Sequence, residues 1–286
     1  MHLGNKIIII LLLNIVFMLS CQKENKYEIK NITHNNILIL GHRGMGQLYK
    51  YPGNTAEAIL PVLGIGANGS EVDIRMTLDS VLVLFHNDIL DDRTICKGKV
   101  SEKKWAEIRN CKYALTWADV NLCTADSLFG LIQSIENYYF SFDCKLDGGK
   151  PNQKEYRAVF LRAIKRLEDK YHMQGHIIVE GDIDFLLLGR KLGLHTLGCV
   201  EGTATIEQSL ALAKKYKFCC VGGSVSVSEE NIKKAHDSGV RVMVWSANNN
   251  MANITALDKS VDIIQTDVPI FILQQLNRYN YEYKIP

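Results

Sequence analysis

The sequence predicts an α/β protein, a (β/α)8 TIM barrel with a β-hairpin excursion after strand 2. Three observations predict it. Beyond residue 35, apolar runs of strand length alternate with helix-period segments. Eight such pairs occur in order, the pattern of a parallel sheet closed on itself. One further strand-like run, 81–86, follows the second strand after only Thr77-Leu78-Asp79-Ser80, too short a link for a parallel crossover.

The strands are expected at 37–41, 69–74, 139–145, 176–180, 195–200, 218–222, 241–246 and 262–265. Helices are expected at 55–66, 127–137, 153–173, 183–192, 206–216, 229–238, 250–257 and 269–277. If Thr77–Ser80 form the whole turn of the extra hairpin, residues whose numbers sum to 157 lie opposite each other, and Glu71 faces His86. Glu71 and Asp73 share one strand face, and Val72 and Ile74 turn to the helices. On the third strand Phe140, Phe142 and Cys144 take the helix-facing parity, and Ser141, Asp143 and Lys145 share the other face.

The chain begins differently. Lys6 precedes an apolar run, 7–19, broken only by Asn14 and short for a spanning helix. The run ends Met18-Leu19-Ser20-Cys21 and is followed by polar residues, which resembles a bacterial lipoprotein signal. The expected organisation is therefore a signal peptide at 1–20, lipidation at Cys21, a tether at 21–35 and the barrel at 36–286. That resemblance implies an exported, membrane-anchored lipoprotein, periplasmic or at the cell surface; the alternative is a plain secretory signal. The net charge of +2 is nearly balanced, so composition gives no argument for nucleic acid. Five prolines and no low-complexity tract argue against disorder and against a second linked domain. Of the cysteines beyond Cys21, one bridge is expected among Cys96, Cys111 and Cys123, and Cys144, Cys199, Cys219 and Cys220 read as buried hydrophobes. No Cys/His spacing suits zinc.

Chemistry concentrates between Gly41 and Asp88: His42, Arg43, Glu71, Asp73 and His86, each at or near the end of an apolar run. Carboxylates hold hard cations, imidazoles move protons, and a guanidinium clamps phosphate oxygens. Asp143 adds a third metal carboxylate and Lys145 a cation at the C-terminal strand ends, where barrels build their sites. Together they suit metal-assisted attack on a phosphodiester by water or a neighbouring substrate hydroxyl. Trp245 reads equally as a core filler or a substrate platform. Glu180 and Glu201 end strands at the mouth, where they either touch the leaving group or are solvated at the rim, the latter being the simpler expectation.

At these residues the chain resembles the glycerophosphodiester phosphodiesterase family. The matching motifs are His42-Arg43-Gly44, Asn54-Thr55, Glu71-Val72-Asp73, Thr77-Leu78-Asp79, His86-Asn87-Asp88, Asp143-Cys144-Lys145, Trp245-Ser246-Ala247-Asn248 and the last strand through Pro269. The resemblance implies one divalent cation, Ca2+ or Mg2+, on Glu71, Asp73 and Asp143. It implies His42 and His86 as the acid/base pair, Arg43 and Lys145 as phosphate contacts, and release of glycerol 3-phosphate and an alcohol. Three positions depart from the family pattern: Gly53 stands for Glu, Asp143 for Glu, and Glu180-Gly181 for Ser-Phe. The alternatives are a phospholipase D-like enzyme acting on lysophospholipid or sphingolipid, and a catalytically weak surface-binding lipoprotein.

Overall fold

A computed structural model describes residues 37–286 except Thr116, Thr196 and Ala204. The expected signal peptide, the tether and Cys21 lie outside the described residues. No described helix is long and apolar enough to cross a membrane.

Eight parallel strands close a barrel: β1 (Leu38–His42), β2 (Gly69–Met76), β5 (Tyr139–Cys144), β6 (Ile177–Gly181), β7 (Leu197–Val200), β8 (Cys220–Ser224), β9 (Arg241–Ala247) and β10 (Ile263–Thr266). Closure is made where β1 pairs with β10, Leu40 opposite Gln265, and with β2, His42 opposite Glu71. Helices α1 (Ala56–Gly64) and α3 (Ala125–Leu131) follow β1 and precede β5, while α2 (Trp105–Ile108) lies in the excursion. The remaining crossovers are α4 (Gln153–Tyr171), α5 (Ile183–Lys191), α6 (Ile206–Tyr216), α7 (Glu229–His236), α8 (Asn250–Asp258) and α9 (Pro269–Gln275). Most begin at a side-chain cap: Thr55, Thr124, Asn152, Asp182, Thr205, Ser228 and Asn249 each accept a first-turn amide.

The main core lies between sheet and helices. Val72, Ile74, Phe140 and Phe142 are buried there against Phe129, Phe160 and Leu161, as their strand parity requires. Such burial stabilises by roughly 1.5–3 kcal/mol per large apolar side chain.

The excursion is a domainlet with its own small core. Strand β3 (Leu82–Leu84) runs antiparallel to β2 and is extended by β4 (Cys123–Thr124). Val83 and Phe85 pack with Leu90, Val100, Ile108 and Tyr113 in a cluster separate from the main core. Cys96 and Cys111 form a disulfide in this segment. Cys123, Cys199, Cys219 and Cys220 are free and buried, and Cys144 is free and half-buried.

The hairpin register differs from expectation by one residue. Thr77 pairs with Val81, donating no more than three residues to the loop, and Arg75 lies opposite Val83, so opposed numbers sum to an even value. The reason is Thr77, whose Oγ1 accepts the Val81 amide at 3.0 Å, and Ser80, which takes the left-handed conformation (φ 63°) of a three-residue hairpin loop. The shift places Phe85, not Leu84, opposite Asp73 and moves His86 off Glu71, and the Phe85 amide donates to the Asp73 carbonyl at 3.0 Å.

Candidate active site

His42 ends β1 and Arg43 enters the loop in a left-handed conformation (φ 55°). Gly41 permits this turn, because a Cβ there would sit 1.9 Å from the Gly44 carbonyl oxygen. The Arg43 amide donates to the Glu71 carboxylate at 3.0 Å, fixing the loop to β2. His42 Nδ1 lies 2.7 Å from Asp267 Oδ1, just past β10, and its Nε2 lies 3.8 Å from Glu71 Oε2. In the bond to a carboxylate Nδ1 is the donor, which leaves Nε2 facing the acids. Asp267 also accepts the Gln47 amide at 3.1 Å.

Asp73 is fully buried and holds the centre of the cluster. Its Oδ2 accepts from Asn54 Nδ2 at 2.7 Å, and its amide donates to Asn54 Oδ1 at 2.9 Å. Asn54 is itself buried and left-handed (φ 66°), a conformation that Asn tolerates better than most residues. Arg43 Nε stands 2.8 Å from Asp73 Oδ2, and Lys145 Nζ bridges Asp73 Oδ1 at 3.1 Å and Asp143 Oδ2 at 2.5 Å. Gly53 accommodates Arg43: a Cβ at 53 would lie 2.7 Å from the Arg43 Cβ.

The strand register aligns Asp73 with Asp143 and Asp143 with Glu180, so acids from three strands meet at the barrel mouth. Burial, then the charges of Asp73, Glu180 and Asp143, push the Glu71 carboxyl well up, with Arg43 opposing. Burial draws Lys145 down, but Asp73 and Asp143 outweigh it and raise its ammonium above the ordinary range. Oxygen atoms of Glu71, Asp73 and Asp143 lie within 4.8 Å of one another. Asp73 Oδ1 is buried with no hydrogen bond of good geometry. An all-carboxylate set with an under-satisfied buried oxygen fits a hard divalent cation.

Glu180 and Glu201 are not solvated at the rim. Glu180 is buried and accepts from Ser141 Oγ and Gln265 Nε2, both at 2.6 Å. It also bonds Glu201, whose pKa is pushed up to about 10 by burial and by the Glu180 charge. The Glu180 carboxyl is raised too, first by burial and then by Asp143.

His86 stands apart from the acids. Its ring is exposed and pairs through Nδ1 with Asn87 Oδ1 at 2.9 Å, not with Glu71, Asp73 or Asp143. Its carbonyl is held by Arg75 Nη2 and Nε at 2.8 and 3.1 Å, and Arg75 Nη1 reaches the Lys145 carbonyl at 3.5 Å. The His86 backbone is thus tied to the end of β5, with the imidazole directed into solvent. Trp245 is half-buried on β9 beside Glu201.

Sequence reasoning assigned no role to Asp267, Asn54 or Arg75. Asp267 was visible only within the motif that runs from the last strand to Pro269, two residues beyond the strand expected at 262–265. Asn54 entered only as part of the Asn54-Thr55 motif, without sign of its partner.

Acids from three strands around an imidazole–carboxylate pair, at the C-terminal mouth of a barrel, define a hydrolase of phosphoric diesters. Residues 42–270 match the glycerophosphoryl diester phosphodiesterase family, and the chain belongs to it. A glycerophosphodiester phosphodiesterase of Caldanaerobacter subterraneus subsp. tengcongensis is 22% identical over 238 residues, covering 81% of this chain and 94% of that protein. Among solved structures, a phosphodiesterase from Oleispira antarctica in complex with the product sn-glycerol-3-phosphate superposes with a TM-score of 0.72 at 14% identity, over 86% of this chain and 99% of that one. A glycerophosphodiester phosphodiesterase from Parabacteroides distasonis gives a TM-score of 0.69 at 18% identity, over 85% and 97%.

Proposed function

We propose that the protein is a metal-dependent phosphodiesterase that hydrolyses glycerophosphodiesters to glycerol 3-phosphate and an alcohol. The observation that carries the reading is the pair His42–Asp267 set against Glu71 beside Asp73 and Asp143. Glu71, Asp73 and Asp143 would hold one Ca2+ or Mg2+, which when bound supplies Lewis-acid neutralisation of a phosphate oxygen. Arg43, tied to Asp73 through Nε, retains two terminal NH2 groups for another phosphate oxygen. Lys145 screens Asp73 from Asp143, which lets a dianionic cluster and an anionic ester share one pocket. His42 moves a proton at Nε2, with Asp267 supporting the imidazolium that forms. His86 moves the second proton, after its ring turns from Asn87 towards the mouth.

Chelation is expected to abolish turnover, and Ca2+ or Mg2+ to restore it. Activity indifferent to chelator counts against the metal. His86→Ala is expected to lower kcat by about 10²-fold or more with unchanged melting, since the ring is exposed; a fully active variant removes His86 from the reaction.

Anchoring through a lipid on Cys21, outside the cytoplasm, belongs to the same proposal and rests on the order of Leu19, Ser20 and Cys21 after an apolar run. Metabolic labelling with a fatty acid, absent in Cys21→Ser, tests it. A second reading, a phospholipase D-like enzyme on lysophospholipid or sphingolipid, is favoured by Leu48. That side chain is 89% exposed, and it follows Gln47, whose amide binds Asp267 at the mouth. Choline release from lysolipid micelles but not from glycerophosphocholine would select it.

A further inference from the structure

A cavity of about 530 Å³ opens beside the acidic cluster, between the ends of β7 and β8 and the first turns of α6 and α7. Glu201 forms the boundary between the two, since it bonds Glu180 and feels the charge of Asp143. Hydroxyls dominate the wall, paired as Thr203 with Ser209 and Ser224 with Ser226, each keeping further capacity for a ligand, and the Asn231 side-chain amide beside them donates to Glu207. Thr205 and Ser228, whose hydroxyls cap α6 and α7 by accepting the Gln208 and Asn231 backbone amides, also line it.

Charge is scarce in this lining. It contains no Lys, Arg or Asp, and its carboxyl, Glu201, is held neutral through the physiological range with a pKa of about 10. A second phosphate would find no counter-cation, and an ammonium head group no ionised carboxylate. Glu201 Oε1 has no hydrogen-bond partner among the described residues. It lies close to the Trp245 indole because position 222 is glycine: a Cβ there would be 2.5 Å from both Glu201 Oε1 and Trp245 Cζ3. An acceptor oxygen thus sits against a flat apolar wall, facing hydroxyl and amide groups. Hydroxyls on a carbon skeleton satisfy such a lining, their C–H face covering the indole.

We infer that this cavity receives the alcohol part of the diester and selects a neutral polyhydroxylated one, a sugar, a cyclitol or glycerol, over a choline or ethanolamine. The inference rests on the phosphodiesterase reading for the reaction and on the cavity for the selectivity. Gly222 and Trp245 shape the subsite, and the family-atypical Glu180 holds Glu201 in position.

The test compares kcat/KM for glycerophosphoinositol and glycerophosphocholine, with bis(p-nitrophenyl) phosphate as a substrate lacking either head group. Gly223→Val is the probe, since a Cβ at 223 meets only Ile206 Cδ1 at 3.5 Å and the longer side chain fills the cavity. Wild type is expected to favour the inositol diester by about tenfold or more, and the variant to lose about tenfold of that preference through KM. Equal or better use of the choline diester, or equal losses on both diesters in the variant, overturns the inference. Calorimetric titration with myo-inositol gives a readout independent of hydrolysis. Heat with wild type that vanishes in Gly223→Val supports the cavity even if no diester is cleaved, an outcome that would overturn the phosphodiesterase reading alone. No heat with wild type overturns the inference whatever the activity.

Discussion

Replacing Asp267 with Asn isolates what the carboxylate does for His42. The two are 2.7 Å apart, and Asp267 is buried, so the bond is shielded from water. Asn keeps the shape and an oxygen that accepts from both Nδ1 and the Gln47 amide, while the negative charge is lost. A charge-assisted hydrogen bond contributes about 1.5–3 kcal/mol. At 1.36 kcal/mol per decade, losing it in the transition state alone slows kcat by about 10- to 150-fold. The cost to folding is smaller, and the melting temperature is expected to move by no more than about 2–4 °C. Release of glycerol 3-phosphate from an alkyl diester, read through a coupled dehydrogenase, measures the loss. Bis(p-nitrophenyl) phosphate refines the reading because its leaving group departs without a proton. A loss on both substrates makes His42 the base; a loss on the alkyl diester alone makes it the acid. A variant within twofold of wild type on both would refute the reasoning that Asp267 supports a proton-transferring imidazole.

Two further outcomes follow from the buried acids. In the unfolded chain Glu201 ionises near 4.5, and in the fold it keeps its proton up to about 10. Between those values the folded state binds more protons, so wild-type stability falls as pH rises, by at most about 1.4 kcal/mol per unit for one group. Glu201→Gln is expected to match wild type near pH 4 and to gain on it towards pH 8 in urea unfolding of chelator-treated protein; parallel profiles would exclude a buried neutral carboxyl. Asn54→Ala removes two hydrogen bonds to Asp73 and sets in the left-handed region a residue that tolerates it less well than Asn, costing about 2–4 kcal/mol in the same assay. Asn54→Gly should recover about 1 kcal/mol of this, and no difference between the two would exclude backbone strain at 54.

The barrel was legible because strand-length apolar runs alternate with helix-period segments, local signals that survive without neighbours. Glu71 with Asp73, and Asp143 with Lys145, were readable from strand parity alone. The hairpin register was not, because Thr77 spends its hydroxyl on the Val81 amide and takes one residue out of the loop, moving every facing pair by one position. Asp267 reaches His42 across 225 positions of chain, a meeting made only when the last strand closes on the first. Glu180 and Glu201 looked like rim residues because they end strands. Ser141 and Gln265 from other strands hold Glu180 inward, and Glu180 in turn bonds Glu201, company that no local pattern records.

The covalent link between Cys96 and Cys111 lies in the excursion and not in the barrel. The excursion's apolar cluster is small, and the segment carries the chain that presents His86. A reducing milieu would therefore loosen the roof and spare the walls beneath it. If His86 acts as proposed, thiol poise would reach turnover before global melting.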